Sequence, residues 1–312
     1  RRNNSRSTFN REYPLCQKKT IYWKQPCRLL KAAIPKPTDI CWMRIRQIPR
    51  LSAHRPSIFL PVWQAEPACR SKLRSAITDH AWWYRPEVLT DDDLAPLKAR
   101  PEFLALKSLS DQRYADAVSR SQALFSWKGK HADSLFLAVH GNTQNGQTAR
   151  ADWEPILGKS NSWQLEAIQS AEPDGYGTYR WRYDGASYAA VAQAMEAMQS
   201  QGYQRIVCGG FSAGCDMLLR SVLFTDARCD MLILQSPWIP LLHDHAAEVV
   251  QAIRQKQIRL AILCGSEDED CLPLARHLHA AAAQAGLDET LHIQKGTRHQ
   301  FPAKPYALAD LL

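Results

Sequence analysis

Glycine is absent from the first part of the chain. All 14 glycines of the 312 residues stand at or beyond Gly129, so the leading stretch lacks the residue that most easily adopts positive φ in tight turns. Acidic residues are almost as scarce there. Residues 1–75 carry 17 Lys and Arg against 3 Asp and Glu, a balance of 17 − 3 = +14. No apolar period of 3.6 or 2 residues is sustained, eight prolines from Pro14 to Pro67 interrupt the stretch, and Trp23, Trp42 and Trp63 stand singly. That composition fits an irregular basic arm, disordered or translated from an aberrant gene model, and not a packed domain. Nowhere does an apolar run approach the roughly 20 residues of a membrane-spanning helix. The nine cysteines have no repeated spacing, and Cys208, Cys215 and Cys264 fall in or beside apolar segments, as small buried thiols do. A reduced, cytoplasmic setting is expected from that usage alone, and no metal or cofactor is expected. The chain opens on Arg1-Arg2 without an initiator Met, which leaves room for a targeting peptide ahead of it.

Beyond residue 75 the charge reverses: 39 − 17 = 22 basic against 31 − 3 = 28 acidic residues, a net of −6. Residues 76–125 read as a small helical segment, with Leu94, Leu97, Phe103, Leu104 and Leu106 spaced by charged residues and Asp91-Asp92-Asp93 as an N-terminal cap. From 126 to 312 short apolar runs alternate with helical ones. Strands are expected at Leu135–His140, Trp163–Ile168, Arg205–Gly209, Met231–Leu234, Leu260–Cys264 and Leu291–Gln294. Helices are expected to begin near Ala149, Ala186, Ala213, His243, Pro273 and Pro302. Such alternation predicts an α/β fold with a mostly parallel central sheet, helices on both faces and ligands at the carboxyl ends of its strands.

Four loops at those ends carry polar residues in a chemically sensible order. Arg205–Gly209 runs into Gly210-Phe211-Ser212-Ala213-Gly214 and a helix follows at once, the strand–turn–helix setting of a nucleophile elbow. The turn exposes the Ser212 hydroxyl and aims the Ala213 N–H at a forming oxyanion. His140-Gly141-Asn142 closes an earlier strand and offers the Asn142 N–H as a second donor; His140 itself precedes the nucleophile and is read as supporting that loop. Gly265-Ser266-Glu267-Asp268-Glu269-Asp270 follows the next strand, with Asp268 the best-placed acid and Asp270 or Glu267 as fallbacks. His299, after the last strand, completes the order Ser, Asp, His; His292, inside that strand, is read as structural. A lone GxSxG would be weak, and it gains weight from these partners.

With those motifs in place, the chain from Leu135 onward resembles the phospholipase, carboxylesterase and dienelactone-hydrolase group of α/β-hydrolases. The matching pieces are His140–Asn142 with Gln144-Asn145, Gly210–Gly214, Gly265–Asp268 and Gly296–Phe301. The resemblance implies a triad of Ser212, Asp268 and His299. Trp82–Leu89 and Pro101–Phe103 are similar to the end of a helical, tetratricopeptide-like region that precedes the hydrolase in some bacterial predicted esterases. Pro237-Trp238-Ile239-Pro240 leads almost directly into a helix, so no lid domain is expected, with Trp238 and Trp181 as candidate walls of an open cleft. The expected function is hydrolysis of carboxylic or thio esters of small or medium acyl groups. A serine peptidase on the same triad is one rival. Another is a binding protein that uses the basic arm, although that arm has no nucleic-acid motif and no nucleic-acid partner is expected. Oligomeric state is left open.

Overall fold

The computed structural model describes residues 67–125, 127–158 and 162–312; the reading of residues 1–66 as an irregular arm lies outside them. Helices α1 (Pro67–Thr78), α2 (Pro86–Leu89) and α3 (Pro101–Arg120), with a 3₁₀ turn at Asp92–Leu97, form the helical segment. Pro101 stands where a missing N–H costs least, at the start of α3. The first helix crosses the boundary drawn at residue 75. Leu73, Ile77, Leu89, Leu94, Leu97 and Phe103 close a small core of their own, while Leu104 remains on the surface.

The main sheet has seven strands: β1 (Leu124–Phe125), β2 (Ser134–Val139), β3 (Trp163–Gln169), β6 (Arg205–Phe211), β7 (Met231–Gln235), β8 (Arg259–Gly265) and β9 (Glu289–Gln294). They lie in the order β1-β3-β2-β6-β7-β8-β9, parallel throughout except for the short edge strand β1. β1 begins the sheet just ahead of residue 126. The hairpin β4 (Glu172–Gly175) and β5 (Thr178–Arg180) is separate from it.

Alternation along β2 divides the core in two. Leu135, Leu137 and Val139 face a cluster shared with α5 (Gly185–Gln199), α6 (Ala213–Phe224), α7 (Leu242–Gln255) and α8 (Leu272–Gln284). Phe136 and Ala138 face Ala149, Trp153 and Ile156 of α4 (Gly146–Leu157) and Leu308 and Leu311 of α9 (Leu308–Leu311). Helices thus cover both faces, as buried parallel sheets require. The last helix starts at Leu308 and not near Pro302. Proline disfavours the helical region in the residue before it, and Pro302 and Pro305 impose that on Phe301 and Lys304.

The chain reverses its winding between β2 and β6, which are hydrogen-bonded neighbours with Val139 opposite Gly210. At such a switch point the loops after two adjacent strands diverge and leave a crevice. Here those loops carry Asn142 and Ser212. Between β7 and α7 only residues 236–241 intervene, so among the described residues no lid domain stands there.

The helical segment is docked through the hairpin. Tyr176 N–H donates to Trp83 O at 3.1 Å, and buried Arg85 Nε lies 2.9 Å from Asp174 Oδ1. Burial pushes the Asp174 carboxyl up while Arg85 pulls it back, so removing the guanidinium strands a charge in a dry place. Arg85→Ala is expected to lower unfolding free energy by about 3 kcal/mol in urea titrations; an unchanged midpoint would show the contact to be inconsequential.

Candidate active site

Ser212 occupies the turn between β6 and α6 with φ 52° and ψ −120°, a conformation non-glycine residues seldom adopt. Its flanking glycines permit that turn by close approach. A Cβ on Gly210 would lie 2.8 Å from Cys215 N, inside the following helix. One on Gly214 would lie 2.5 Å from Val139 O and 2.6 Å from His140 O, against the neighbouring strand. Ala213 is the first residue of α6, and the N–H at that position has no acceptor within its own helix.

The loop after β2 passes directly over this turn. A Cβ on Gly141 would meet Phe211 Cδ1 at 2.8 Å and Ser212 Cβ at 3.1 Å, so Asn142 stands next to the elbow. The loop's polar groups are almost all engaged. Gly141 N–H donates to Gln144 Oε1 at 2.8 Å, and Gln144 Nε2 donates to Asp152 Oδ2 at 3.1 Å. Asn142 Oδ1 accepts from Trp181 N–H at 2.8 Å, while Thr143 N–H donates to Tyr179 O at 2.8 Å. His140 is fully buried beneath it: Nε2 accepts from Ser170 N–H at 3.1 Å, leaving Nδ1 to donate to Gly141 O at 2.6 Å. Burial lowers its pKa to about 4, so it stays neutral and supports the loop.

Trp181 departs from its expected place as a cleft wall. It is 3% exposed, donates its indole N–H to His140 O at 2.7 Å and stacks on the His140 ring at 4.8 Å. A buried indole needs an acceptor for its N–H, and satisfying it here makes Trp181 a brace behind the loop. Trp238 is half-buried, and its backbone N–H donates to Ser212 O at 3.2 Å.

On the other side of Ser212, Asp268 and His299 meet. His299 Nδ1 lies 2.8 Å from Asp268 Oδ2, and the imidazole packs 5.1 Å from the Phe211 ring, which adjoins Ser212. The two loops approach this closely because Gly265 has no side chain: a Cβ there would lie 2.1 Å from Thr297 O. Burial raises the Asp268 carboxyl, but hydrogen bonding and charge from His299, the Cys271 N–H and the Ser236 side chain outweigh it and hold the pKa below its ordinary value. Of the fallback acids, Glu267 is exposed and pairs with Arg298 at 3.2 Å, and Asp270 is half-buried. His292 remains in β9, its ring 4.7 Å from that of Tyr306.

Three supporting residues were not anticipated. Ser236 takes a positive φ of 46° directly after β7. Gln235 and Gln294, both buried, exchange side-chain amide bonds of 2.9 and 3.1 Å across the end of the sheet, and Gln235 reaches Gln300 O, beside His299, at 3.4 Å. Polar residues at the ends of otherwise apolar strands were the available signal, but 59 residues separate the two glutamines. Asp268, Cys271 and His299 also place ligand atoms within 4.8 Å of one another, a set that could accept a metal ion.

The fold, with its nearly all-parallel sheet, elbow after β6 and ordered loops, is that of the α/β-hydrolases. No protein-family model matches the chain, and no curated protein matches it. Among solved structures it is similar to an uncharacterised protein from Bacillus cereus ATCC 10987, with TM-score 0.51 and 23% identity over 77% of this chain and 78% of that one. It is also similar to esterase PE8, with TM-score 0.44 and 16% identity over 59% and 92% of the two chains. A carboxylesterase from Mesorhizobium loti matches with TM-score 0.44 and 21% identity over 56% and 84%. The first of these is a likeness of fold.

A close approach and an open position separate by mutation. Gly214→Ala is expected to cost about 3 kcal/mol of stability, because backbone carbonyls of β2 cannot yield. Gly146→Ala, where the nearest atom is 3.6 Å away, should be neutral or slightly stabilising in the same denaturation assay.

Asp152 provides a pH test of the loop's support. Burial raises its pKa from 3.8 to about 6 despite the Gln144 bond. Between those values the folded protein retains a proton that the unfolded chain has released, so stability falls as pH rises through that window. Asp152→Asn should therefore gain stability relative to wild type from pH about 4 to about 6 and hold that gain above it. A pH-independent difference in melting temperature would refute the assignment.

Proposed function

We propose that the chain is a serine hydrolase cleaving carboxylic or thio esters of small or medium acyl groups. The observation that carries this reading is the 2.8 Å pairing of His299 Nδ1 with buried Asp268, next to a serine held at positive φ at a helix N-terminus. Each group has a role. Asp268, kept ionised, fixes the His299 tautomer with its proton on Nδ1 and stabilises the imidazolium that forms. His299 Nε2 takes the Ser212 proton as Oγ attacks the acyl carbonyl. The N–H groups of Ala213 and Asn142 receive the oxyanion, each such donor being worth about 3 kcal/mol in the transition state. His299 then protonates the leaving alcohol or thiol, and water releases the acyl group by the same route.

Among the described residues the short β7–α7 connection carries no lid domain, and we assign Trp238 to the wall of the crevice. A site without a lid domain there suits short or soluble esters. Trp181 acts on substrate only indirectly, by holding Asn142. The fold also hosts amide hydrolysis, so purified protein assayed on p-nitrophenyl acetate beside a peptide amide distinguishes esterase from peptidase.

A fluorophosphonate probe should label the wild type and not Ser212→Ala; an unlabelled wild type removes the proposal. Asp268→Asn is expected to lower kcat by roughly 10³–10⁴-fold, with Asp270→Asn close to wild type. The opposite ranking would reassign the acid.

A further inference from the structure

Beside the acid–base pair stands a third metal-ligating side chain that the proposed reaction leaves unused. Cys271, at the N-cap of α8, is fully buried, and its Sγ lies 3.4 Å from His299 Nδ1. The same nitrogen is 2.8 Å from Asp268 Oδ2. Backbone contacts fix these positions: Cys271 N–H donates to Asp268 Oδ1 at 3.3 Å, Leu272 N–H to Asp268 O at 2.9 Å, and Glu267 N–H to Thr297 O at 2.9 Å.

We propose that Asp268, Cys271 and His299 form an inhibitory site for a thiophilic divalent cation of the zinc class. The inhibition rests on the reading of His299 as the base of Ser212; the binding does not. Zinc bonds thiolate sulfur at about 2.3 Å and imidazole nitrogen or carboxylate oxygen at about 2.0–2.2 Å, so tetrahedral ligand atoms stand roughly 3.3–3.6 Å apart. The Sγ–Nδ1 spacing is already in that range, and the Nδ1–Oδ2 contact must open by about half an ångström. Thiolate with imidazole and carboxylate selects zinc over magnesium or calcium, which prefer oxygen.

Charge and protons balance. The cation replaces the thiol proton, which leaves to solvent, and the dication is offset by thiolate and carboxylate. The neutral imidazole keeps its one proton but moves it from Nδ1, now bound to metal, to Nε2. Nε2 then has no lone pair for the Ser212 proton, so the nucleophile is silenced without being touched. Without a cation, burial and the charge of Asp268 keep the Cys271 thiol well above its usual range, protonated and inert. A bound dication reverses that local preference. Only His299 among the three has appreciable side-chain exposure, 16% against 2% for Asp268, so the route in runs past the imidazole.

The test uses the full chain after treatment with a chelator. Cobalt(II) added to wild type should produce a thiolate-to-cobalt charge-transfer band that is absent in Cys271→Ala and in the near-isosteric Cys271→Ser, both of which retain the backbone N–H to Asp268. Zinc should slow fluorophosphonate labelling of wild type by about a hundredfold, the scale of a lost general base, with recovery on chelation. Magnesium should do nothing, and the Cys271 variants should label in zinc as they do without it. A wild type without the cobalt band, or variants as zinc-sensitive as wild type, would overturn the proposal. A cysteine-dependent band in a protein that never labels would leave the binding site standing, remove its inhibitory role and dismiss the hydrolase reading. Labelling without a band would do the reverse.

Discussion

A single tight turn governs the geometry of this molecule. Ser212 is held at φ 52°, a conformation whose cost is of the order of 1–3 kcal/mol and which survives only where its surroundings over-determine it. The surroundings do so from three sides. Cys215 of α6 closes on Gly210, the carbonyls of Val139 and His140 close on Gly214, and Ser212 N–H donates to Gln235 O on β7 at 3.0 Å. The apolar burial of β2, β6 and α6 supplies the compensating stability. Any element that shifts relative to β6 therefore moves the serine.

Around that turn the structure builds two polar scaffolds. One fixes the loop of Asn142: His140, Gln144, Trp181 and the β4–β5 hairpin satisfy its groups, and the hairpin is in turn anchored to the helical segment by Arg85 and Asp174. The other fixes Asp268 and His299 through Ser236, the Gln235–Gln294 pair and the close approach at Gly265. Buried polar groups that were only partly satisfied would be costly, so each scaffold is rigid where it is complete.

Much of this was legible along the chain because its causes are local. Alternating apolar runs located six of the seven sheet strands within one or two residues at each end, since strand formation here follows burial on both faces. Gly210 of the elbow was readable because it relieves a clash with Cys215, a near neighbour in sequence, whereas Gly214 makes room for Val139 and His140 of a distant segment. Two-residue β1 escaped notice, as did the β4–β5 hairpin, where Pro173 and Asp174 argue against a strand and the pairing with the helical segment overrides them. Trp181 misled for a related reason. An aromatic residue near a motif can face a cleft or the packing behind it, and only the buried His140 carbonyl decides which.

The order of chemistry along this chain, serine then acid then histidine, each just past an apolar run, was determined by the sequence itself. So was the alternation that makes a parallel sheet and brings those ends to one edge. Tertiary structure alone decided which of the clustered acids faces His299, that Cys271 joins them, and that Gln235 meets Gln294. Those outcomes depend on distances between loops 28 to 59 residues apart, set by sheet register and by the absence of a side chain at Gly265. No local pattern encodes such distances, because they are sums over the packing of the whole domain.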